Sequence, residues 1–141
     1  MHRIVVDTNV FVGACQGRGA ANAVVVACLR GHCRPLMGAA LLAEYEDVLG
    51  RAKLFERSLL DRDERAELLD IFLATCEWTR VYFGWRPNLP DEADNHLVEL
   101  AVAGAAGFIV TRNLRDVQRA ELQFPRLRAL APPDFLKELQ R

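Results

Sequence analysis

The run Gly107-Phe108-Ile109-Val110-Thr111 decides the fold. It is short and apolar up to its threonine, a composition typical of a strand that is buried on both faces of a parallel sheet. Arg3 to Val6 is predicted to be the first strand, and it stops at the polar triplet Asp7-Thr8-Asn9. Parallel strands need crossover connections, which are usually helices. The two runs therefore predict an α/β fold with a central parallel sheet.

The rest of the chain alternates strand-like and helix-like segments, as repeated βαβ units do. Helical patterns are predicted at residues 19–30, 40–51, 61–76 and 91–106, and a terminal helix begins at Pro132-Pro133. Further strands are predicted at residues 34–37, 78–83 and 127–130. Pro35 restricts its strand, because proline fits only the start of a strand or a sheet edge. The expected architecture is a three-layer α/β/α sandwich.

Size and composition favour one globular domain over residues 1–141. Hydrophobic residues make up 51% and charged residues 26%, which is too apolar for a disordered chain. No apolar run reaches the roughly 20 residues of a membrane-spanning helix, and Asp7 comes too early for a signal peptide, so we expect a cytoplasmic protein. The net charge of -1 does not by itself indicate a polyanionic partner. No C-x-x-C pair occurs, so we expect reduced thiols at Cys15, Cys28, Cys33 and Cys76.

Four acidic residues fall where a parallel sheet would gather them. Asp7 and Asp116 follow strands, at the edge where such sheets bind ligands. Asp94 heads the helical stripe that should face the sheet, and Glu44 lies beside the apolar stripe of its own helix. Carboxylates at close quarters repel, so the cluster makes sense chiefly around a hard cation such as Mg²⁺ or Mn²⁺. We predict a metal site that hydrolyses phosphodiesters.

Each acid also has an interpretation without a metal. Asp7-Thr8-Asn9 suits a turn cap, and Asp94 suits the third position of a helix that Asp91 caps. Glu44 taken alone is an ordinary helix glutamate. His96 is predicted to point away from Asp94 and to lie at the surface or behind the metal ligands, without a catalytic role.

Signature motifs of several other enzyme classes are missing from the sequence. It contains no P-loop, no G-x-G-x-x-G and no G-x-S-x-G. A Mg²⁺-dependent phosphatase or 5′-nuclease stays an alternative, although a haloacid-dehalogenase-like phosphatase would have aspartate where Asn9 stands. A binding module whose acids contact the arginines of a partner is the second alternative.

The acidic residues lie in segments that resemble the PIN-domain family, in particular the VapC-like toxins of type II toxin-antitoxin pairs. The resemblance covers nearly the whole chain, and Pro133-Asp134-Phe135-Leu136 is similar to the closing segment of the family. The other matching segments, in chain order, are Val5 to Val10, Leu41 to Arg51, Asp91 to Leu97 and Ile109 to Asp116.

The resemblance implies a metal-dependent endoribonuclease whose acidic triad is Asp7, Glu44 and Asp94, with Asp116 as a fourth acid. We expect Asp7 and Asp94 to hold the metal directly and Glu44 to act through a water. A cognate antitoxin protein is the implied partner. The polar residues expected near these acids or on the substrate are Thr8, Asn9, Thr111, Asn113, Arg112, Arg115 and Arg119.

Two departures from the family pattern bear on these expectations. Asn113 stands where many members have another aspartate, which weakens a second metal site, and Gly38 to Ala40 lack a serine that often precedes the second helix. Single-stranded RNA is the expected substrate, because its bases splay out. The arginines meet its phosphates or form a solvated face. Val81 to Trp85 suits either a homodimer surface or a strand with a packed loop. A catalytically weak PIN-like module that binds RNA or protein stays an alternative.

Overall fold

The computed structural model describes residues 1–81, 92–117 and 124–141, and for residues 92–95 and 116 it describes the backbone only. The strands are β1 (His2–Val6), β2 (Cys33–Met37), β3 (Glu77–Trp78), β4 (Phe108–Val110) and β5 (Arg128–Leu130). The helices are α1 (Thr8–Ala14), α2 (Gly19–Leu29), α3 (Ala39–Leu49), α4 (Arg62–Thr75), α5 (Glu92–Ala103), α6 (Leu114–Val117) and α7 (Pro132–Leu139), and a short 3₁₀ helix spans Ala52–Phe55.

The five strands form one sheet in the order β3-β2-β1-β4-β5, and all neighbouring pairs are parallel. β1 lies at the centre, where Val5 pairs with Ile109 of β4. Ile4, Val5 and Val6 are completely or almost completely buried, as are Ile109 and Val110. The predicted parallel sheet is therefore confirmed, with its two most apolar runs side by side.

Helices cover the two faces of the sheet. α2 packs on β2, α1, α4 and α7, whereas α5 packs on β1, β2 and β4. Right-handed crossovers require the helices that lead from β1 to β2 to lie on one face and the helix that leads from β3 to β4 to lie on the other. The three-layer α/β/α sandwich is confirmed. The winding direction changes between β1 and β4, which is where α/β sheets of this kind bind ligands.

Two strand predictions need correction. β2 is an internal strand of the sheet, with Pro35 in its middle. Proline is tolerated there because Pro35 pairs with Ile4 of β1 at a position that β3 does not reach, so its missing N–H interrupts no pairing with β3. The strand predicted at residues 78–83 is shorter, since β3 ends at Trp78. β2 turns into α3 after Gly38, so Arg80 and Val81 have no further residues of β2 to pair with. Residues 82–91, with the predicted loop and most of the Val81 to Trp85 stretch, lie outside the described residues.

Local chemistry accounts for two of the helix ends. Asp61 and Glu64 form a reciprocal capping box at the start of α4. α2 ends at Leu29 and is closed by Gly31, whose φ of +78° and N–H bond to the Cys28 carbonyl are typical of a Schellman turn. The sequence-predicted end at Gly31 is confirmed.

The four cysteines are free thiols, as predicted, although Cys28 and Cys33 approach within 3.5 Å. In the part of the chain that the structure describes, no single helix is long and apolar enough to cross a membrane. α1 and α2 have that length and composition only together, as a pair bent by 101°.

Candidate active site

Asp7 lies at the point where the winding of the sheet reverses. It follows β1, and its backbone N–H donates to the Val110 carbonyl at the end of β4 (3.0 Å). Asp7 also occupies the N-cap position of α1, but its side chain makes no capping hydrogen bond. The carboxylate therefore does not form the side-chain cap that its sequence context suggests, although it accepts a backbone hydrogen bond from Thr8.

Side chains from two strand ends hold one oxygen of the Asp7 carboxylate. The Thr111 hydroxyl, just after β4, donates to Asp7 Oδ2 at 2.7 Å, and the Asn9 amide donates to the same oxygen at 3.3 Å. Oδ1 has a longer contact of 3.4 Å with the Thr8 hydroxyl, whose shorter bond runs to Glu44. Oδ2 is thus fixed by the protein, and Oδ1 is the freer oxygen among the described contacts.

The environment of Asp7 favours a cation. Burial raises the pKa of the Asp7 carboxyl above its ordinary value, and the neighbouring charge of Glu44 raises the pKa further. The hydrogen bond from Thr111 acts in the opposite direction. Only 7% of Asp7 is exposed. An ionised carboxylate that is buried beside a second acid destabilises the folded protein, and a bound positive charge would offset this destabilisation.

Glu44 reaches the same place from α3, and both of its oxygens are occupied. Thr8 donates its hydroxyl to Oε1 at 2.8 Å, and His96 Nε2 lies 2.5 Å from Oε2. The hydrogen bond with His96 is the main reason that the pKa of Glu44 is lowered, against an opposing effect of burial. The prediction left open whether Glu44 is an ordinary exposed glutamate. In the structure it is half-buried and bonded to residues of two other helices.

The partner of His96 was not indicated by the sequence. His96 lies on α5 with 19% of its side chain exposed, and it joins α5 to Glu44 of α3. This fits the second of its predicted positions, behind the candidate metal ligands, better than the surface. Its Nδ1 is buried and has no hydrogen-bond partner within the described part of the chain.

Tyr45 fixes α3 against the end of β1. Its side chain is 1% exposed, and its hydroxyl donates to the carbonyl of Val6 at 2.8 Å. The ring stacks edge-on with Phe11 of α1, with ring centres 5.5 Å apart. Because Val6 precedes Asp7 and Tyr45 follows Glu44, this one hydrogen bond sets the two acids side by side. Sequence reasoning missed Tyr45, since nothing local distinguishes it from a core aromatic residue.

We expect Tyr45→Phe to lower the free energy of unfolding by about 1 to 3 kcal/mol, because it leaves a buried carbonyl without its donor while keeping the ring contacts. Urea denaturation followed by circular dichroism measures this loss. An unchanged slope with denaturant concentration shows that the unfolding reaction itself is the same. A loss below about 0.5 kcal/mol would contradict the anchoring role, since that is the scale of an uninvolved surface change.

The remaining two acids are placed by their backbones only. Asp94 is the third residue of α5, and Asp116 is the third residue of α6. The structure does not describe their side chains, and Asp91 lies outside the described residues. The capping and metal-binding interpretations of Asp94 thus both stay predictions. α5 does bring His96, two residues after Asp94, to Glu44.

A polar network continues from Asp7 into the segment after β4. Asn9 Oδ1 accepts from the backbone N–H of Arg112 at 3.1 Å, and Thr111 Oγ1 accepts from the backbone N–H of Asn113 at 3.0 Å. The side chains of Arg112, Asn113 and Arg115 are exposed, and Arg119 lies outside the described residues. This segment therefore presents its polar side chains to solvent next to Asp7.

The described side chains do not form a complete metal site, because no three His, Cys, Asp or Glu residues among them are arranged to hold an ion. The side chains of Asp94 and Asp116 are not part of that set. What is described fits a hard cation in donor type, since Asp7 offers a buried carboxylate with one freer oxygen and Glu44 adds a second carboxylate.

The fold and this arrangement define the class: a three-layer α/β sandwich with acidic side chains at the carboxyl edge of its parallel sheet. A family model described as the PIN domain matches residues 3–115. The chain belongs to the PIN-domain family, which confirms the resemblance found in the sequence.

Solved structures agree on the fold. A chain in the crystal structure of VapBC2 from Rickettsia felis bound to a DNA fragment from their promoter is similar, with a TM-score of 0.59 and 17% identity. The match covers 92% of this chain and 98% of that one. At this identity the similarity concerns the fold. No curated protein sequence matches the chain.

Proposed function

We propose that this PIN-domain protein is a metal-dependent endoribonuclease and the toxin of a toxin-antitoxin pair. The observation that carries the proposal is Asp7, a buried carboxylate at the switch point of the sheet with Glu44 beside it and a raised pKa. Burying an ionised carboxylate beside a second one costs folding free energy that binding of an oppositely charged ligand would offset. The ligand that two carboxylates favour is a cation. We further propose that residues 1–141 form one domain and that the protein acts in the cytoplasm.

In this proposal Asp7 and Asp94 hold Mg²⁺ or Mn²⁺, Glu44 acts through a water, and Asp116 completes the acidic floor. The metal, when bound, supplies an activated water and stabilises charge on the phosphate. Thr111 and Asn9 keep Asp7 Oδ2 in place so that Oδ1 is presented to the ligand. His96 and Thr8 keep Glu44 ionised and oriented, so that it can position the attacking water.

The substrate in this proposal is single-stranded RNA. Arg112 and Arg115 are exposed beside the site and would contact backbone phosphates. Asn113, where many family members have an aspartate, would orient a water or Asp116 without adding charge, and this favours one metal over two.

We expect the purified protein to cleave single-stranded RNA with Mg²⁺ or Mn²⁺ and to show no cleavage in EDTA, because the acids do the chemistry only with a cation. Gel electrophoresis of an end-labelled RNA measures cleavage, and restoring activity by adding excess Mn²⁺ to the EDTA sample is the control. Cleavage that persists unchanged in EDTA contradicts the metal mechanism. RNA binding without cleavage under any of these conditions would favour the catalytically weak binding module.

The VapBC2 structure supports a partner proposal, since it contains an assembly bound to promoter DNA. We propose that this chain likewise pairs with an antitoxin protein, and that a small reading frame beside its gene encodes it. Co-expression followed by size-exclusion chromatography tests the pairing. The same experiment on the chain alone tests the homodimer.

A further inference from the structure

A pocket of about 390 Å³ lies between α1, the start of α2 and the start of α7. Arg18 and Arg112, which are 94 positions apart in sequence, both line it, and none of its lining residues in the described part of the chain is acidic. Both arginines are exposed, and neither forms an ion pair with any residue in the described ranges. Two guanidinium groups that share a pocket without an acid repel each other, so an anion between them would be stabilised.

The shape of α1 lets Arg112 reach this pocket. A Cβ atom at Gly13 would lie 2.9 Å from Arg112 Nη1, so the guanidinium rests directly on the glycine. The first turn of α2, from Gly19, also lines the pocket, and its N-cap residue Arg18 makes no capping bond through its side chain. Backbone N–H groups there add to the positive potential that the two arginines create.

The pocket is joined to the candidate active site by hydrogen bonds. The backbone N–H of Arg112 donates to Asn9 Oδ1, and the Asn9 amide donates to Asp7 Oδ2. One short chain of contacts thus connects the pocket wall to the carboxylate. Because the Arg112 contact uses the backbone, a change of the Arg112 side chain leaves this connection in place.

We infer that this pocket is a phosphate subsite for the RNA strand, in which Arg18 and Arg112 bind a phosphate next to the one that is cleaved at Asp7. The inference rests on the proposed function, since it takes the strand to pass over Asp7. A nucleic acid carries a phosphate at every nucleotide, so a strand held at Asp7 presents an anion to any pocket beside it. The planar guanidinium fork matches the phosphate oxygens. A protein ligand would need an acidic side chain at this one place, which favours RNA as the occupant.

The test measures RNA binding without cleavage, by fluorescence anisotropy of a labelled single-stranded RNA dodecamer in EDTA. We expect Arg18→Gln and Arg112→Gln each to weaken binding by about three- to tenfold. The slope of log Kd against log NaCl concentration should fall by about 0.7 for each arginine. Arg30→Gln is the matched control: it removes the same charge at the far end of α2, about 18 Å from Arg18 along the helix, and should change Kd little.

A second variant separates position from charge. Gly13→Ala keeps every arginine but places a methyl group where the Arg112 guanidinium now rests, so it should also weaken RNA binding. The same methyl group would lie 3.0 Å from the Cβ atom of Ala21 on α2, so the variant also tests the packing of α1 on α2. Alanine suits a helix better than glycine, so thermal unfolding will show whether the fold is kept. Weaker binding in a folded Gly13→Ala protein supports the contact of Arg112 if adding Arg112→Gln to that protein then weakens binding little further.

Several outcomes overturn the subsite. The subsite is overturned if the Arg18→Gln and Arg112→Gln proteins bind the dodecamer as tightly as the Arg30→Gln protein does. It is also overturned if the wild-type protein fails to bind the dodecamer at about 50 mM NaCl, the lower end of the salt range in which phosphate contacts are usually compared. Arginine-dependent binding of a labelled decaglutamate peptide, with RNA binding unaffected, would assign the pocket to a protein partner. Arginine-dependent RNA binding in a protein that never cleaves RNA with metal would overturn the proposed nuclease and support the phosphate subsite.

Discussion

Asp7→Asn should reduce metal-dependent RNA cleavage by more than about a hundredfold. Substituting a residue that only hydrogen-bonds to a metal ligand typically lowers metal affinity or activity by about ten- to a hundredfold. Asp7 is proposed as a metal ligand itself, so a larger loss is expected. The neutral amide still accepts the hydrogen bond from Thr111, so local geometry is kept. Asp70→Asn, an exposed change on α4, is the matched control and should leave cleavage at the wild-type rate.

The same variant should be more stable than wild type when metal is absent and the pH is neutral. The pKa of Asp7 is raised in the folded chain, so the folded chain binds the proton more tightly than the unfolded chain does. That contribution is fully present below the unfolded pKa, near 3.8, and is lost as the pH rises through the folded pKa. Above it, wild type keeps an ionised buried carboxylate, which Asn removes.

Thermal unfolding in EDTA from pH 4 to pH 8 measures this difference. The melting temperature of Asp7→Asn should exceed that of wild type at pH 7 to 8, and the gap should close towards pH 4. Mn²⁺ should raise the melting temperature of wild type by mass action and that of the variant much less. A variant that is less stable at neutral pH, with an intact response to Mn²⁺, would return Asp7 to the role of a turn cap.

Growth of bacteria that express the chain gives the cellular readout of the same substitution. Expression without a partner should slow growth, and Asp7→Asn should relieve the effect while Asp70→Asn does not. Equal toxicity of wild type and Asp7→Asn, at equal protein levels, would separate growth inhibition from the acidic site.

The fold could be predicted because the composition of its two central strands is typical of buried parallel strands. β4 is apolar over its whole length and β1 is apolar from Ile4 to Val6, and these paired residues are buried, as the sequence pattern indicates. β3 was predicted too long for a reason that no local pattern contains. A strand extends only as far as its neighbour does, and β2 gives way to α3 after Gly38.

The candidate site was predictable to the extent that strand ends define it. Asp7 and Thr111 follow adjacent strands, so the rule for parallel sheets is enough to expect them together. Helical periodicity, in contrast, relates residues of one helix only. It compared His96 with Asp94 on α5 and had no means of finding Glu44 on α3. Likewise, nothing near Arg18 in the sequence indicates that it shares a pocket with Arg112.

Glu44→Gln should also reduce cleavage, by about ten- to a hundredfold, because Glu44 is proposed to act through a water and not to hold the metal directly. Gln can still accept the hydrogen bond from Thr8, but it cannot offer a charge to His96. Glu46→Gln is the matched control, since Glu46 is exposed on the same helix. Cleavage at the wild-type rate in Glu44→Gln would remove Glu44 from the mechanism.

The effect of Glu44→Gln on stability should have the opposite sign to that of Asp7→Asn. The pKa of Glu44 is lowered in the folded chain, chiefly by His96, so its carboxylate contributes stability above the unfolded pKa, near 4.5. That contribution is lost as the pH falls through the folded pKa, and Gln lacks it at every pH. In EDTA the variant should therefore melt below wild type at pH 6 to 8, and the gap should close in acid. The opposite pKa shifts of the two neighbouring acids separate their roles. Within the described ranges Asp7 forms no ion pair, whereas Glu44 is already stabilised by hydrogen bonds from the protein. Shifts of the same sign in both variants would contradict this division of roles.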